Sequence, residues 1–295
     1  MSALFANPVT LTVLPPLLAG LLLGLLAWVT AGNRVAMAIG WALGVVFVYW
    51  LLEGVPPLPP AAAKQKLGYL IALGGLAGVV WSLFPGNRPF TALASLVLAV
   101  VAVLWLGWSK VIGGGNMGVV LLAAALAILL AAGMIGWIRS QDRAGAAEEP
   151  FLAPAVQLTT AIAGSIVAAS GLFLGMGQML GALSAMLGGA LAISYAALLI
   201  RGRGLDLLPP GAVLTVGNAV LCGVALTALL APSPSLNGLI VLALGPVLAF
   251  LLRGRIAALL PQTQFLRPIL AGAIIAIPAI AASLIAVLTG TSPFA

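Results

Sequence analysis

Apolar runs, most of them close to the length needed to cross a bilayer, alternate with short polar breaks along the whole chain. A helix rises about 1.5 Å per residue, so roughly 20 apolar residues cover the hydrocarbon core. Cutting at charges, Gly-Asn pairs and proline clusters predicts about ten spans. They lie near 8–31, 35–52, 67–84, 90–108, 118–138, 155–174, 179–200, 212–231, 236–252 and 268–289. The stretch from 155 to 200 is almost continuous, and its division is expected at Gly175-Met-Gly177-Gln178. Lipid offers the backbone no hydrogen bonds, so each span must satisfy its own N–H and C=O groups as a helix. The predicted fold class is an all-α, polytopic integral membrane bundle. Residues 1–295 form one transmembrane domain, with halves 1–138 and 155–295 joined by the loop 139–154.

The first long polar break runs from Glu53 through Val55-Pro-Pro-Leu-Pro-Pro60 to Lys66. It holds a carboxylate, four prolines and two lysines, which cannot continue as a lipid-exposed helix. Glu53 is the only acid before Asp142. The stretch predicts a stiff connection, a lid or a docking surface, and Glu53 is the candidate ionisable site, with Lys64 or Lys66 as its expected partner. As a proton or cation site it would have to be buried.

Composition then fixes the solvent. With 63% hydrophobic and 6% charged residues, and a mean hydropathy of +1.26, the chain has too little polar surface to cover a water-soluble globule. The net charge of +7 does not indicate nucleic acid, because the basic residues fall singly or in pairs between apolar runs. One alternate set of loops holds Arg34, Arg88, Arg139, Arg143, Arg201, Arg203, Arg253, Arg255 and Arg267; the other holds Lys64, Lys66 and Lys110. That bias places the arginine loops in the cytoplasm and both termini in the periplasm. Short loops and the lack of a basic leader at the N-terminus lead us to expect a multi-pass protein of the bacterial inner membrane.

The arginine loops recur. Ala31-Gly-Asn-Arg34 is echoed by Pro85-Gly-Asn-Arg88, and Arg201-Gly-Arg203 by Arg253-Gly-Arg255. Gly and Asn suit a left-handed helix end, and the Arg beside them meets its carbonyls and the membrane surface. Repeated boundary chemistry explains this better than duplication, although five spans per half would make the halves inverted repeats. All seven Trp lie in the first half, which suggests that this half meets lipid and the interface while the Gly/Ala/Ser-rich second half packs helix on helix.

Candidate chemistry is sparse. There is no His and one Cys, Cys222, so neither a disulfide framework nor a Cys/His metal cluster can form within the chain, and no cofactor is expected. Gly113 to Gly118 and Gly175 to Gly181 lack the strand and lysine of a phosphate loop. General acid–base or nucleophilic catalysis needs a positioned base, and the few acids fall in loops or at span ends; Asp206 is expected to pair with its neighbouring arginines. The chain is therefore read as a non-enzyme.

Small residues at helical spacing, Gln157, Thr160, Gly164, Ala168, Gly171 and Gly175, then Gly177, Gly181, Ser184, Gly188 and Ala192, predict close helix packing. Gly20xxxGly24, Gly40xxxGly44 and Gly74xxxGly78 are the same signal at chance level. Thr215, Asn218 and Cys222 share one face near a span centre, where an amide must bond another helix or a solute. Pro246 and Pro278 each free a carbonyl within a span. A candidate solute path thus comprises Asn218, Gln157, Thr160, Thr215, Pro246 and Pro278. Two functions follow: a permease-like transporter of a small uncharged or lipid-like solute, or a non-catalytic structural or assembly subunit of a larger membrane complex. The expected partners are membrane lipid and a membrane protein or second copy held through Gly/Ala-rich faces, and not nucleic acid.

Overall fold

The structure is a computed structural model that describes residues 8–84, 88–113, 117–144, 150–261, 263 and 265–290. Pro85-Gly-Asn87, residues 114–116, Glu148, Glu149 and the side chain of Asp142 lie outside the described residues. Among those described, helices are the only regular elements: α1 Pro8–Val29, α2 Arg34–Glu53, α3 Ala63–Leu83, α4 Arg88–Leu106, α5 Trp108–Ile112, α6 Met117–Ala144, α7 Leu152–Ser170, α8 Leu174–Arg201, α9 Pro210–Leu230, α10 Leu236–Leu259 and α11 Leu266–Thr289. Eight of them, α1, α2, α3, α6, α7, α8, α9 and α11, are long and apolar enough to cross a membrane. The predicted spans at α4 and α10 hold shorter apolar stretches, Ala92–Leu106 and Leu236–Leu251.

Helix boundaries depart from the expected ones where glycine was taken for a turn. The break between α7 and α8 falls at Gly171-Leu-Phe173, not at Gly175-Met-Gly177-Gln178. Leu172 adopts φ 61°, its N–H donates to Ala169 O at 3.0 Å, and Phe173 N–H donates to Ala168 O at 2.9 Å. That pair of bonds is a Schellman ending, here carried by a leucine. Gly177 lies inside α8, where a Cβ would sit 3.1 Å from Ser165 O, so its smallness serves packing. In the first arginine loop Gly32 takes the left-handed conformation, φ 72°, whereas Asn33 begins α2. Its Oδ1 accepts from the N–H groups of Val35 and Ala36 at 3.0 and 3.1 Å, an ordinary N-cap.

Helix α9 is the axis. Every residue from Gly211 to Leu229 is buried, and α9 packs against α2, α3, α4, α6, α7, α8 and α10. Three glycines six residues apart explain how one helix takes neighbours on all sides. At 3.6 residues per turn, six steps rotate a position by about 240°, so Gly211, Gly217 and Gly223 point in three directions roughly 120° apart. Gly211 meets Gly78 O and Ser82 Oγ of α3, Gly217 meets Met134 of α6 and Gln157 of α7, and Gly223 meets Leu180 and Met176 of α8.

A second close crossing joins α1 to α8. A Cβ at Gly20 would collide with Met186 O, one at Gly189 with Leu17 O, and one at Gly24 with Ile193 Cβ. Gly40 and Gly44 of α2 receive Leu23 of α1, and Gly44 also Met186 of α8. Helix α11 lies against α7 and α10 and exposes Ile269, Ile277, Ile280, Leu284 and Leu288, the surface of a helix facing lipid. Trp41, Trp81 and Trp137 are buried, so the first half does not reserve its tryptophans for lipid, although Trp50 and Trp108 are exposed. A five-and-five exchange is not visible in the packing: α1 lies along α8, while their counterparts α7 and α2 do not pack as a pair.

Alternate connections gather at two ends of the bundle. At the arginine end, Gly32 abuts Asp206, the Arg201 guanidinium lies 4.2 Å from the Trp28 ring centre, and Tyr195 Oη donates to Phe265 O at 3.1 Å. At the lysine end, Lys66 Nζ donates to Trp105 O at 3.0 Å, Ser233 N–H donates to Gly171 O at 3.3 Å, and the Ser235 and Thr289 hydroxyls share a hydrogen bond of 2.8 Å. Lys66 places a cation at the C-terminal carbonyls of α4, where the helix dipole favours it.

Candidate functional site

Asn218 sits in the middle of α9 with no exposed surface. Its Nδ2 donates to Leu70 O of α3 at 2.9 Å, and its Oδ1 accepts from Cys222 Sγ at 3.7 Å. Gly74 lies directly opposite, and a Cβ there would collide with Asn218 Nδ2. Thr215, one turn earlier, bonds Gly211 O at 3.1 Å and faces Gly78. The polar face of α9 is therefore turned onto α3: the Asn218 amide bridges the two helices, while the Thr215 hydroxyl and the Cys222 thiol bond within α9. Interhelical hydrogen bonds of this kind contribute only about 0.6 kcal/mol, so the glycine-permitted close approach does most of the joining.

Gln157 of α7 lies on another side of α9, with its Nε2 3.3 Å from where a Gly217 Cβ would stand. Its residue is 8% exposed and its amide has no hydrogen-bond partner among the described residues. Thr160 is buried and donates to Val156 O at 2.7 Å. Together with Thr159, Leu242, Gly245 and Pro278 it lines a cleft between α7, α10 and α11 of about 10 Å³. That is room for about one water. Helices α10 and α11 run on through Pro246 and Pro278, as α1 does through Pro15 and Pro16, and a Cβ added at Gly245 would stand 3.5 Å from Pro278 Cβ. Pro246 packs instead on Gly133 of α6. The six path candidates thus divide among four places: Asn218 and Thr215 against α3, Gln157 beside Gly217, Thr160 and Pro278 at the small cleft, and Pro246 against Gly133 of α6. Asn218 does not line that cleft.

Glu53 pairs with Lys64, Oε2 to Nζ 2.8 Å, and its side chain is 22% exposed against 60% for the lysine. An ion pair with that much water contact contributes roughly 0.2–1 kcal/mol. Tyr49 Oη donates to Lys64 O at 3.0 Å, tying the same two helix ends.

A feature the sequence did not single out is the segment after Arg201, which turns back into the bundle. Leu205, Leu207 and Leu208 are buried, Trp41 Nε1 donates to Leu207 O at 2.7 Å, and Ser194 Oγ accepts from Leu205 N–H at 2.9 Å. Its Leu-x-Leu-Leu-Pro run was the only available signal, and it is apolar for a loop. Burial of this segment strands Asp206. Contrary to the expectation of arginine partners, Asp206 makes no ion pair among the described residues, and desolvation pushes its carboxyl up to about 6.

A carboxyl whose folded value lies above its unfolded one favours folding when protonated; that contribution is complete below about 3.8 and is lost as pH rises through about 6. Asp206→Asn is expected to raise the thermal midpoint at pH 8, by on the order of 2 kcal/mol of stability, and to leave it unchanged near pH 4. Thermal unfolding of both proteins in lipid nanodiscs at the two pH values checks this; an equal difference at both would contradict it.

No family model matches the chain, and no curated protein or solved structure is significantly similar to it.

Proposed function

We propose that this chain is a non-catalytic structural or assembly subunit of a larger membrane complex. The observation that carries the reading is the sealed axis: the amide that a central solute path would need, Asn218, is fully buried and bonded to Leu70 O. The proposed setting is a bacterial inner membrane crossed ten times, with both termini periplasmic, because nine arginines mark one set of connections and three lysines the other.

A partner surface is available on α8. Ser184, Gly188 and Ala192 lie on one partly exposed side of α8, and a Cβ added at Gly188 would meet nothing within 4 Å, whereas one at Gly181 would meet Ser165 Oγ of α7 at 3.2 Å. Small side chains let a second helix approach closely enough for van der Waals contact and weak Cα–H bonds to hold it. A photo-crosslinking residue at Ala192 is expected to give a discrete protein adduct in native membranes, at twice the chain mass for a second copy or at another mass for a different subunit. The same residue at Leu284 on α11 should give none, and Gly188→Leu should remove the Ala192 adduct without lowering the yield of folded protein. Absence of any adduct at Ala192 would overturn the proposal.

One observation favours the second reading, a permease-like transporter of a small uncharged or lipid-like solute. The cleft beside Thr160 is lined by Leu242, whose carbonyl Pro246 leaves without a helical donor, and by two threonines. To pass a solute the cleft would have to widen by movement of α11 against α7. A path there leaves Asn218 structural, so solute flux would be sensitive to Thr160→Val and insensitive to conservative change at Asn218.

A further inference from the structure

The strap between α2 and α3, residues 54–62, carries few backbone N–H groups to desolvate. Pro56, Pro57, Pro59 and Pro60 have no N–H to desolvate. Gly54 N–H donates to Trp50 O at 2.9 Å, and the N–H groups of Ala61 and Ala62 donate to Gln65 Oε1 at 2.9 and 3.0 Å. The carbonyls of Pro56 and Pro57 accept from Tyr69 Oη at 3.2 and 3.1 Å. The flanking charges, Glu53 and Lys64, neutralise each other. An apolar segment with no net charge, in which only Val55 and Leu58 keep an N–H outside these bonds, loses little on transfer to an interface, where headgroup water serves those two groups.

What the strap exposes is apolar. Val55 is 77% and Leu58 83% exposed, and they continue the outward flank of α2, where Leu43, Val46 and Trp50 follow one another at helical spacing. Tyr69 lies tilted beside Trp105 with ring centres 6.2 Å apart, and Trp50 beside Phe47 at 6.3 Å, the aromatic composition of a membrane–water boundary. Tyr69 lies six residues into α3, so its ring, which reaches back toward the helix start, holds the strap down at the level of the first turn.

We propose that this strap is an interfacial lipid anchor, with Val55 and Leu58 inserted among the headgroups and upper acyl chains of the leaflet at the lysine end. Its occupant is the bilayer, because the strap extends a helix flank that already faces lipid. The test places bimane at Leu58→Cys, and separately at Val55→Cys, in the full chain carrying Cys222→Ala, reconstituted in phosphatidylcholine–phosphatidylglycerol vesicles. Both sites are exposed, so neither substitution removes a packing contact. The expected result is strong quenching by lipids with a nitroxide near the top of the acyl chain, and quenching by aqueous iodide reduced about tenfold relative to free bimane, as for a group held about 5–10 Å into the boundary. Quenching by iodide as efficient as for the free dye would overturn the proposal. So would shielding from both quenchers, which would mean that protein rather than lipid covers the strap.

Discussion

Gly78→Leu is expected to remove most of the folded protein from the membrane. A Cβ at this position would collide with Gly211 O and Thr215 Oγ1, and the reciprocal Cβ at Gly211 would collide with Gly78 O and Ser82 Oγ. The obstacles include backbone on both sides, which cannot rotate away as a flexible side chain would. Overpacking a well-packed core commonly destabilises by about 1–3 kcal/mol, and a whole leucine against two helix backbones should exceed that range. Such a loss is a large part of the 5–15 kcal/mol, roughly, that separates folded from unfolded states of most domains. Gly188→Leu, where a Cβ meets open space, supplies the control. Fluorescence-detected size exclusion of both variants measures the difference: Gly188→Leu should give a monodisperse peak near the wild-type height, and Gly78→Leu little or none. Equal peaks would show that α3 and α9 are not in close contact at this level.

The positions of helices were legible because lipid imposes one rule on every span: satisfy the backbone locally and present apolar side chains outward. That rule is written in single residues, so arginine-marked ends and apolar lengths could be read directly. Packing was less legible because it is a property of pairs. Gly20xxxGly24, Gly40xxxGly44 and Gly74xxxGly78 look alike in the sequence and like chance, yet each has a different role. The first admits the backbone of α8, the second the leucines of α1, and the third the Asn218 and Thr215 face of α9. Only the partner distinguishes them, and the partner lies more than 100 residues away in the first and third cases. The spacing of Gly211, Gly217 and Gly223 did carry the signature of a central helix, since a lipid-facing helix gains nothing from glycine on three sides.

The candidate path shows the same limit. Asn218 was recognisable as an amide in need of a partner, and both a helix carbonyl and a solute would satisfy that need. The carbonyl of Leu70 meets it, as the 2.9 Å bond records. Leu172 was illegible for another reason: a leucine at φ 61° is held by the surrounding Schellman bonds rather than favoured by its own side chain. Asp206 was read from its charged neighbours, but the burial of Leu205, Leu207 and Leu208 governs it instead.

The central claim, a sealed axis around α9, can be tested on the unmodified protein because its one cysteine lies on that axis. Cys222 has no exposed surface and stands one turn from Asn218, with its Sγ 3.7 Å from the amide oxygen. Reaction with a maleimide requires a thiolate and room for the reagent, and both require water. In native membranes, N-ethylmaleimide should leave Cys222 unmodified under conditions that fully label a thiol introduced at the exposed loop residue Arg203, and should label it completely once the protein is unfolded in detergent, as intact mass spectrometry will show. Modification of Cys222 in the folded protein at a rate near that of the exposed thiol would place a water-filled path beside Asn218 and contradict the account.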